Sequence, residues 1–167
     1  GYPYTCPDMV GGGQVADFSA EAQERLDQNL IVRSAQLHAL MPMMQFSVAP
    51  WRVLDAEHLG YCRLAAQLHG KLAPYILEMA RHAAKTGEPI VRHMEYMYPN
   101  KGFSDCKDQY MLGSRFLVAP ILTPDGKRTV RLPRGTWVDD LGQRFKGPLV
   151  IEVSAPLGRI PYYELRR

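Results

Sequence analysis

Two short apolar runs limit what this chain can fold into. Each ends in a loop rich in Gly, Pro, polar and aromatic residues. The first is Tyr2-Pro-Tyr-Thr-Cys-Pro-Asp8-Met-Val-Gly-Gly-Gly13, and the second is Met43-Met-Gln45-Phe-Ser-Val-Ala-Pro-Trp51. A long helical pattern lies between them and another follows the second. Strand, loop and helix, repeated, is the unit of a parallel α/β fold, and in such folds the loops after the strands hold the ligand.

The spacing predicts a strand over 2–6 that enters a loop at Pro7-Asp8, with Gly11-Gly12-Gly13 stopping regular structure. Ser19 is the expected N-cap of the first helix. Glu21 and Glu24 fall in its first turns, where the helix dipole favours acids. Leu26, Leu30, Val32, Leu37 and Leu40 recur at helical spacing up to Met41, and Pro42 marks the end. Residues 43–48 read as the second strand. Asp55 caps a second helix running through Leu59, Leu64, Leu68, Leu72, Ile76 and Met79, which Pro74 is expected to kink or restart and Thr86-Gly87 to stop.

After Gly87 the pattern changes. Residues 90–97, 116–122, 127–132, 136–139 and 149–153 read as short strands. They are separated by turn signals at Pro99-Asn100, Pro124-Asp125-Gly126, Pro133-Arg134-Gly135 and Gly147-Pro148. Strands at this spacing suggest a β-sandwich, and helices followed by strands suggest two domains, 1–87 and 88–167. Two parallel strands alone leave both edges and much apolar helix surface uncovered. The remaining strands are therefore expected upstream of residue 1, which is Gly and not Met. A barrel of eight such units runs to roughly 250 residues, and two units fit its last quarter.

These strings resemble glycoside hydrolase family 31, the retaining α-glucosidase and α-galactosidase group. The matching stretches are Pro3-Tyr-Thr-Cys-Pro-Asp8-Met-Val-Gly-Gly12, Val32-Arg33 through Gln36-Leu37, and Met41-Pro42-Met-Met-Gln45-Phe46-Ser47 through Pro50-Trp51. Further along are Gly87-Glu-Pro-Ile90-Val-Arg92, Asp108-Gln109 through Gly113, Val118-Ala-Pro120-Ile, and Leu132-Pro133 through Gly135-Thr-Trp137. They follow the family's order over nearly the whole chain. The resemblance implies the last two β/α units of a (β/α)8 TIM barrel followed by a proximal C-terminal β-sandwich. It implies hydrolysis of terminal α-linked sugars with retention, using an Asp nucleophile and an Asp acid/base that both precede this segment. No catalytic residue is therefore assigned to this chain, and the polypeptide alone is expected to be inactive and poorly soluble.

Four residues are candidates for substrate binding. Asp8 stands where a barrel strand is expected to end, and its carboxylate accepts hydrogen bonds from sugar hydroxyls there or caps the Gly-rich loop as an Asx turn. Gln45, Ser47 and Trp51 follow the second strand. An amide and a hydroxyl bind sugar hydroxyls, and an indole stacks on a sugar face or packs between domains. Many family members carry Arg-x-His where this chain has Gln45-Phe46-Ser47, a departure from the ordinary α-glucosidase pattern.

Other chemistry has little support in the sequence. Gly11–Gly13 lacks both the P-loop and the dinucleotide spacing. His38, His58, His69, His82 and His93 are scattered without a zinc-helix spacing and read as core or surface residues. Cys6, Cys62 and Cys106 match no metal or redox pattern; free thiols and a single disulfide both remain open. No cofactor or metal is expected. Net charge is +3 with pI about 8.8, and the basic residues form no block, so a nucleic-acid partner is not expected. At 46% apolar residues and mean hydropathy −0.24 the chain is able to bury a core, and it has no run long enough to span a bilayer. The expected partner is an oligosaccharide or glycoside. The competing reading is a non-catalytic carbohydrate-binding or interaction module built on residues 88–167. Nothing in the sequence fixes a compartment.

Overall fold

A computed structural model describes residues 2–12 and 26–166. The expected cap at Ser19, the acids Glu21 and Glu24, and Gly13 lie outside the described residues. The chain forms two compact units: one is Cys6–Pro74, and the other comprises Tyr75–Arg167 together with Gly1–Thr5.

In the first unit, helix α1 covers Gln28–Ala39. Asp27 is its N-cap; the carboxylate accepts from the Leu30 amide at 3.0 Å and satisfies a donor that the first helical turn leaves open. Ile31, Val32, Ala35 and Ala39 form its buried face, and Leu40 closes it two residues before Pro42. The apolar runs on either side meet at one point. Val10, fully buried, forms a parallel bridge with Phe46: the Val10 amide donates to Gln45 O at 2.8 Å and the Ser47 amide to Val10 O at 3.0 Å.

The strand expected over 2–6 is not present, and pairing occurs at Val10 instead. The reason lies in where partners exist. Pro3 O accepts from the Ile90 amide at 3.0 Å and the Tyr4 hydroxyl donates to Ala80 O at 3.1 Å, so this segment is engaged by the second unit. Among the described residues the run 43–48 likewise pairs only at Phe46. A 3-10 turn, Pro50–Arg52, then leads to helix α2, Ala56–Thr86.

Asp55 begins α2 as expected, its Oδ1 accepting from the His58 amide at 2.9 Å. The helix continues through Pro74 without restarting. Proline there forfeits one hydrogen bond out of those of a 31-residue helix, and its neighbours hold the geometry. Gly87, at φ +75°, ends α2 in the left-handed conformation, with its amide on Ala83 O at 2.8 Å.

The second unit is an antiparallel sheet of β1 Val91–His93, β2 Tyr110–Leu112, β3 Phe116–Val118, β4 Lys127–Asp139, β5 Arg144–Ser154 and β6 Tyr162–Arg166. Its strand order is β1-β2-β3-β6-β4-β5. Several expected boundaries shift. The run 90–97 is a three-residue strand followed by one helical turn, α3 Met94–Met97, because His93 Nδ1 caps it by accepting from the Glu95 amide at 3.2 Å. Strand 116–122 stops at Val118. Gly147-Pro148 lies inside β5 and does not end it.

Pro133-Arg134-Gly135, expected as a turn, is a bulge inside β4: two residues, 133 and 134, face the single position 148 of β5. The bulge changes which parity points inward. Val130 and Leu132 are buried before it, and Trp137 and Asp139 after it. The core therefore gathers Val130, Leu132 and Trp137 with Met111, Leu117 and Tyr163. The Trp137 indole N–H finds Pro133 O at 2.8 Å, so the bulge also supplies its acceptor. Gln109 makes the equivalent pairing from outside a strand, its amide group donating to Arg131 O at 2.8 Å and accepting from the Arg131 amide at 3.0 Å.

Candidate functional site

The Val10–Phe46 bridge positions three of the four candidate residues. Asp8 precedes the paired residue by two positions, so it does not follow a strand end as the sequence suggested. Its Oδ1 accepts from the Met9 amide at 2.8 Å, and the Gly12 amide closes the loop onto Met9 O at 3.0 Å. Gly12 is tight for a reason: a Cβ there would lie 3.1 Å from Met9 O and 3.5 Å from Asp8 Oδ2. The carboxylate therefore both shapes the loop and remains exposed.

Gln45 joins the same place from the other segment. Its backbone carbonyl holds Val10, and its side-chain amide donates to Met9 Sδ at 3.1 Å. A thioether is a weak acceptor, so this amide exchanges that contact readily for a hydroxyl. Ser47, half-buried, donates its backbone amide to Val10. Asp8, Gln45 and Ser47 thus all lie within two residues of the bridge. Trp51 stands apart on the 3-10 turn with 71% of its surface exposed. An indole so open to solvent is a stacking surface, and no ring stacks on it among the described residues.

A neighbour of Asp8 was not legible from spacing. His38 is buried on α1, and its Nδ1 has no hydrogen-bond partner among the described residues. Burial pushes its pKa down, and the Asp8 carboxylate pulls it back up. The sequence reads the five histidines as core or surface residues; His38 is a core one, and the Asp8 field is what the spacing could not give. Deeper on α1, Arg33 donates to Gln36 Oε1 at 2.9 Å.

The other histidine of interest, His58, is tied to the helix starts. Its ring nitrogens contact Asp55 Oδ1 at 2.8 Å and Asn29 Oδ1 at 3.1 Å. All three cysteines are free thiols, Cys6 exposed and Cys62 and Cys106 buried, which settles the disulfide question left open above. Among the described residues no three of His, Cys, Asp and Glu gather in a metal-holding group, and no helix is long and apolar enough to cross a membrane.

The bridge loops offer hydrogen-bonding groups and one carboxylate, and the exposed indole of Trp51 stands apart from them. Bond cleavage of the retaining kind needs two carboxyl groups roughly 5–5.5 Å apart. Two adjacent carboxylates in the sheet unit, Asp139 and Asp140, are both held by Arg159 at 3.1 and 2.9 Å, and Asp139 also accepts from the Leu141 and Gln143 amides of the β4–β5 turn. Asp8 and Gln45 thus leave the bridge loops with exposed hydrogen-bonding groups.

Residues 87–164 match the Glycosyl hydrolase family 31 C-terminal domain. The chain is 36% identical over 170 residues to the myogenesis-regulating glycosidase of Mus musculus, a match covering 98% of this chain and 24% of that protein. It is 36% identical over 144 residues to an alpha-glucosidase of Saccharolobus solfataricus, covering 82% of this chain and 20% of that enzyme. Among solved structures, a family 31 dextranase of Flavobacterium johnsoniae, as a mutant complexed with isomaltotriose, superposes with a TM-score of 0.78 at 31% identity. That superposition covers 94% of this chain and 20% of the dextranase. The chain spans between a tenth and a quarter of the length of the curated relatives it matches.

Proposed function

Since the chain belongs to glycoside hydrolase family 31, we propose that it is the C-terminal portion of a retaining α-glycosidase that hydrolyses terminal α-linked sugars. In this reading residues 1–87 form the last two β/α units of a (β/α)8 barrel and residues 88–167 the β-sandwich that follows. The observation that carries it is the parallel Val10–Phe46 bridge, with α1 between its two members and α2 after the second. Parallel neighbours joined through a helix are the repeating unit of such a barrel. The similarity to an alpha-glucosidase and to a dextranase supports the substrate class.

The reaction needs a carboxylate that attacks the anomeric carbon while a carboxylic acid protonates the departing oxygen. Water then releases the sugar from the glycosyl-enzyme, with the second group acting as base. That pair belongs to the part of the protein outside these 167 residues. The role of this segment is substrate binding: Asp8 and Gln45 hydrogen-bond sugar hydroxyls, Ser47 adds a third polar contact, and Trp51 stacks on a ring face. With Gln45 and Ser47 in place of a cation and an imidazole, the site favours neutral hydroxyls.

The test is hydrolysis of aryl α-glycosides by the complete protein, with the product anomer read by NMR. Retention of configuration is expected. Asp8→Asn, Gln45→Ala and Trp51→Ala should each lower kcat/KM about tenfold, the loss of one hydrogen bond or stacking contact of ~1.4 kcal/mol. Inversion of configuration, or full activity in all three variants, refutes the assignment.

A further inference from the structure

The sheet unit carries a cavity that the bridge loops do not use. It occupies about 350 Å³ on the inward side of β5 and β6. This is near the lower end of the roughly 300–1,000 Å³ typical of small-ligand sites, room for a single sugar ring and not for a chain of them. Phe145, Ile151 and Tyr163 form an apolar wall, and Asp139, Gln143 and Glu152 stand among the polar lining residues.

Two observations give this cavity a chemistry. The first is the Tyr163 hydroxyl. Tyr163 is 0% exposed, and its hydroxyl has no hydrogen-bond partner among the described residues. A buried phenol left unmatched is destabilising, and a ligand hydroxyl that pairs with it removes that penalty. The second is the state of the cation that lines it. Arg159 donates to Asp140 at 2.9 and 3.0 Å, to Asp139 at 3.1 Å and to Ser154 O at 3.2 Å. With that guanidinium committed and two carboxylates in the lining, anions are repelled. The cavity suits a neutral molecule with an apolar face and many hydroxyls.

We propose that this cavity, between the Phe145–Ile151–Tyr163 wall and the Gln143–Glu152 rim, is a second, non-hydrolytic binding site for a single hexopyranoside ring. The C–H face of the ring lies on Phe145 and Ile151. One hydroxyl meets the Tyr163 phenol, and others donate to Glu152 or exchange hydrogen bonds with Gln143. The proposal stands on the cavity alone and does not require the hydrolytic reading.

The experiment places a fluorophenylalanine at position 145 of the complete protein and follows its 19F resonance during titration with methyl α-glucoside. Glycerol is the control polyol. A saturable shift is expected with the glycoside and not with glycerol. Tyr163→Phe should weaken it at least tenfold without lowering the unfolding temperature, since it removes an unmatched hydroxyl. Gln143→Ala, at an exposed rim position, should weaken it several-fold and guards against a Tyr163 variant that does not fold. No saturable shift, an equal shift with glycerol, or undiminished binding in the variants overturns the proposal. Hydrolysis of an aryl α-glycoside is measured on the same sample. Hydrolysis without the 19F response sinks this site alone, and the 19F response without hydrolysis sinks the glycosidase reading alone.

Discussion

Gly113→Ala should open the β2–β3 turn. Gly113 sits at φ +57°, where an L side chain is disfavoured by roughly 1–2 kcal/mol. Its position leaves no room either. A Cβ would fall 2.1 Å from the Tyr75 hydroxyl, 2.8 Å from Met79 Sδ and 2.9 Å from Tyr75 Cζ. The hydroxyl is lodged in the turn: it donates to Leu112 O at 3.3 Å and accepts from the Ser114 amide at 3.2 Å. Moving it breaks both bonds, at about 0.5–1.5 kcal/mol each. It also disturbs the edge-to-face stack of Tyr75 on Phe116, centroids 5.2 Å apart. Together these amount to about 3–5 kcal/mol, within the range of severe overpacking mutants.

Hydrogen exchange in the complete protein, read by mass spectrometry on peptides spanning residues 110–118, measures this locally. A loss of ~3 kcal/mol corresponds to more than a hundredfold faster exchange there. Tyr75→Phe removes the atom at 2.1 Å, so Gly113→Ala in that background should be milder, with a coupling of at least about 1 kcal/mol. Unchanged exchange in Gly113→Ala, or strict additivity in the double variant, refutes the packing argument.

Two further outcomes concern ionisable groups. Asp55 caps α2, and its carboxyl pKa lies below the ordinary 3.8, first because it accepts from the His58 amide and then from the His58 ring. A depressed folded-state pKa stabilises above the unfolded value and is lost as pH falls through the folded one. Asp55→Asn keeps a capping oxygen without the proton linkage, so its unfolding temperature should fall less than that of the wild type between pH 4 and pH 2; parallel curves contradict this. Thiol titration at pH 8 should find Cys6 reacting rapidly and Cys62 and Cys106 slowly. Cys6 is exposed, whereas burial pushes Cys62 up to about 11 and raises Cys106. Rapid reaction that survives Cys6→Ser overturns that assignment.

Features fixed by local chemistry could be read from the residues. Asp55 before a helical pattern and Gly87 after it act through bonds to residues three or four positions away, and both do in the structure what the sequence suggested. Features decided by distant partners could not. Tyr110–Leu112 is only three residues long, and its strand state comes from pairing with β1 and β3. Pro133-Arg134-Gly135 has turn composition, yet β5 continues opposite it and absorbs it as a bulge. The loops flanking the bridge divide in the same way. Asp8, Gln45, Ser47 and Trp51 stand out by type and by neighbouring Gly and Pro. Their register does not, so Asp8 was placed after a strand when it precedes the paired Val10. The effect of Asp8 on buried His38, thirty positions along, depends on how α1 returns and leaves no mark in the spacing.

The glycosidase account is tested most directly by trapping the covalent intermediate. The complete protein is incubated with a 5-fluoro-α-glycosyl fluoride and digested, and the glycosylated peptide is mapped by mass spectrometry. The account predicts one sugar per protein, esterified to an Asp outside these 167 residues. A label on Asp8 or on any other carboxylate of this segment contradicts it, as does rapid turnover with inversion and no trapped ester.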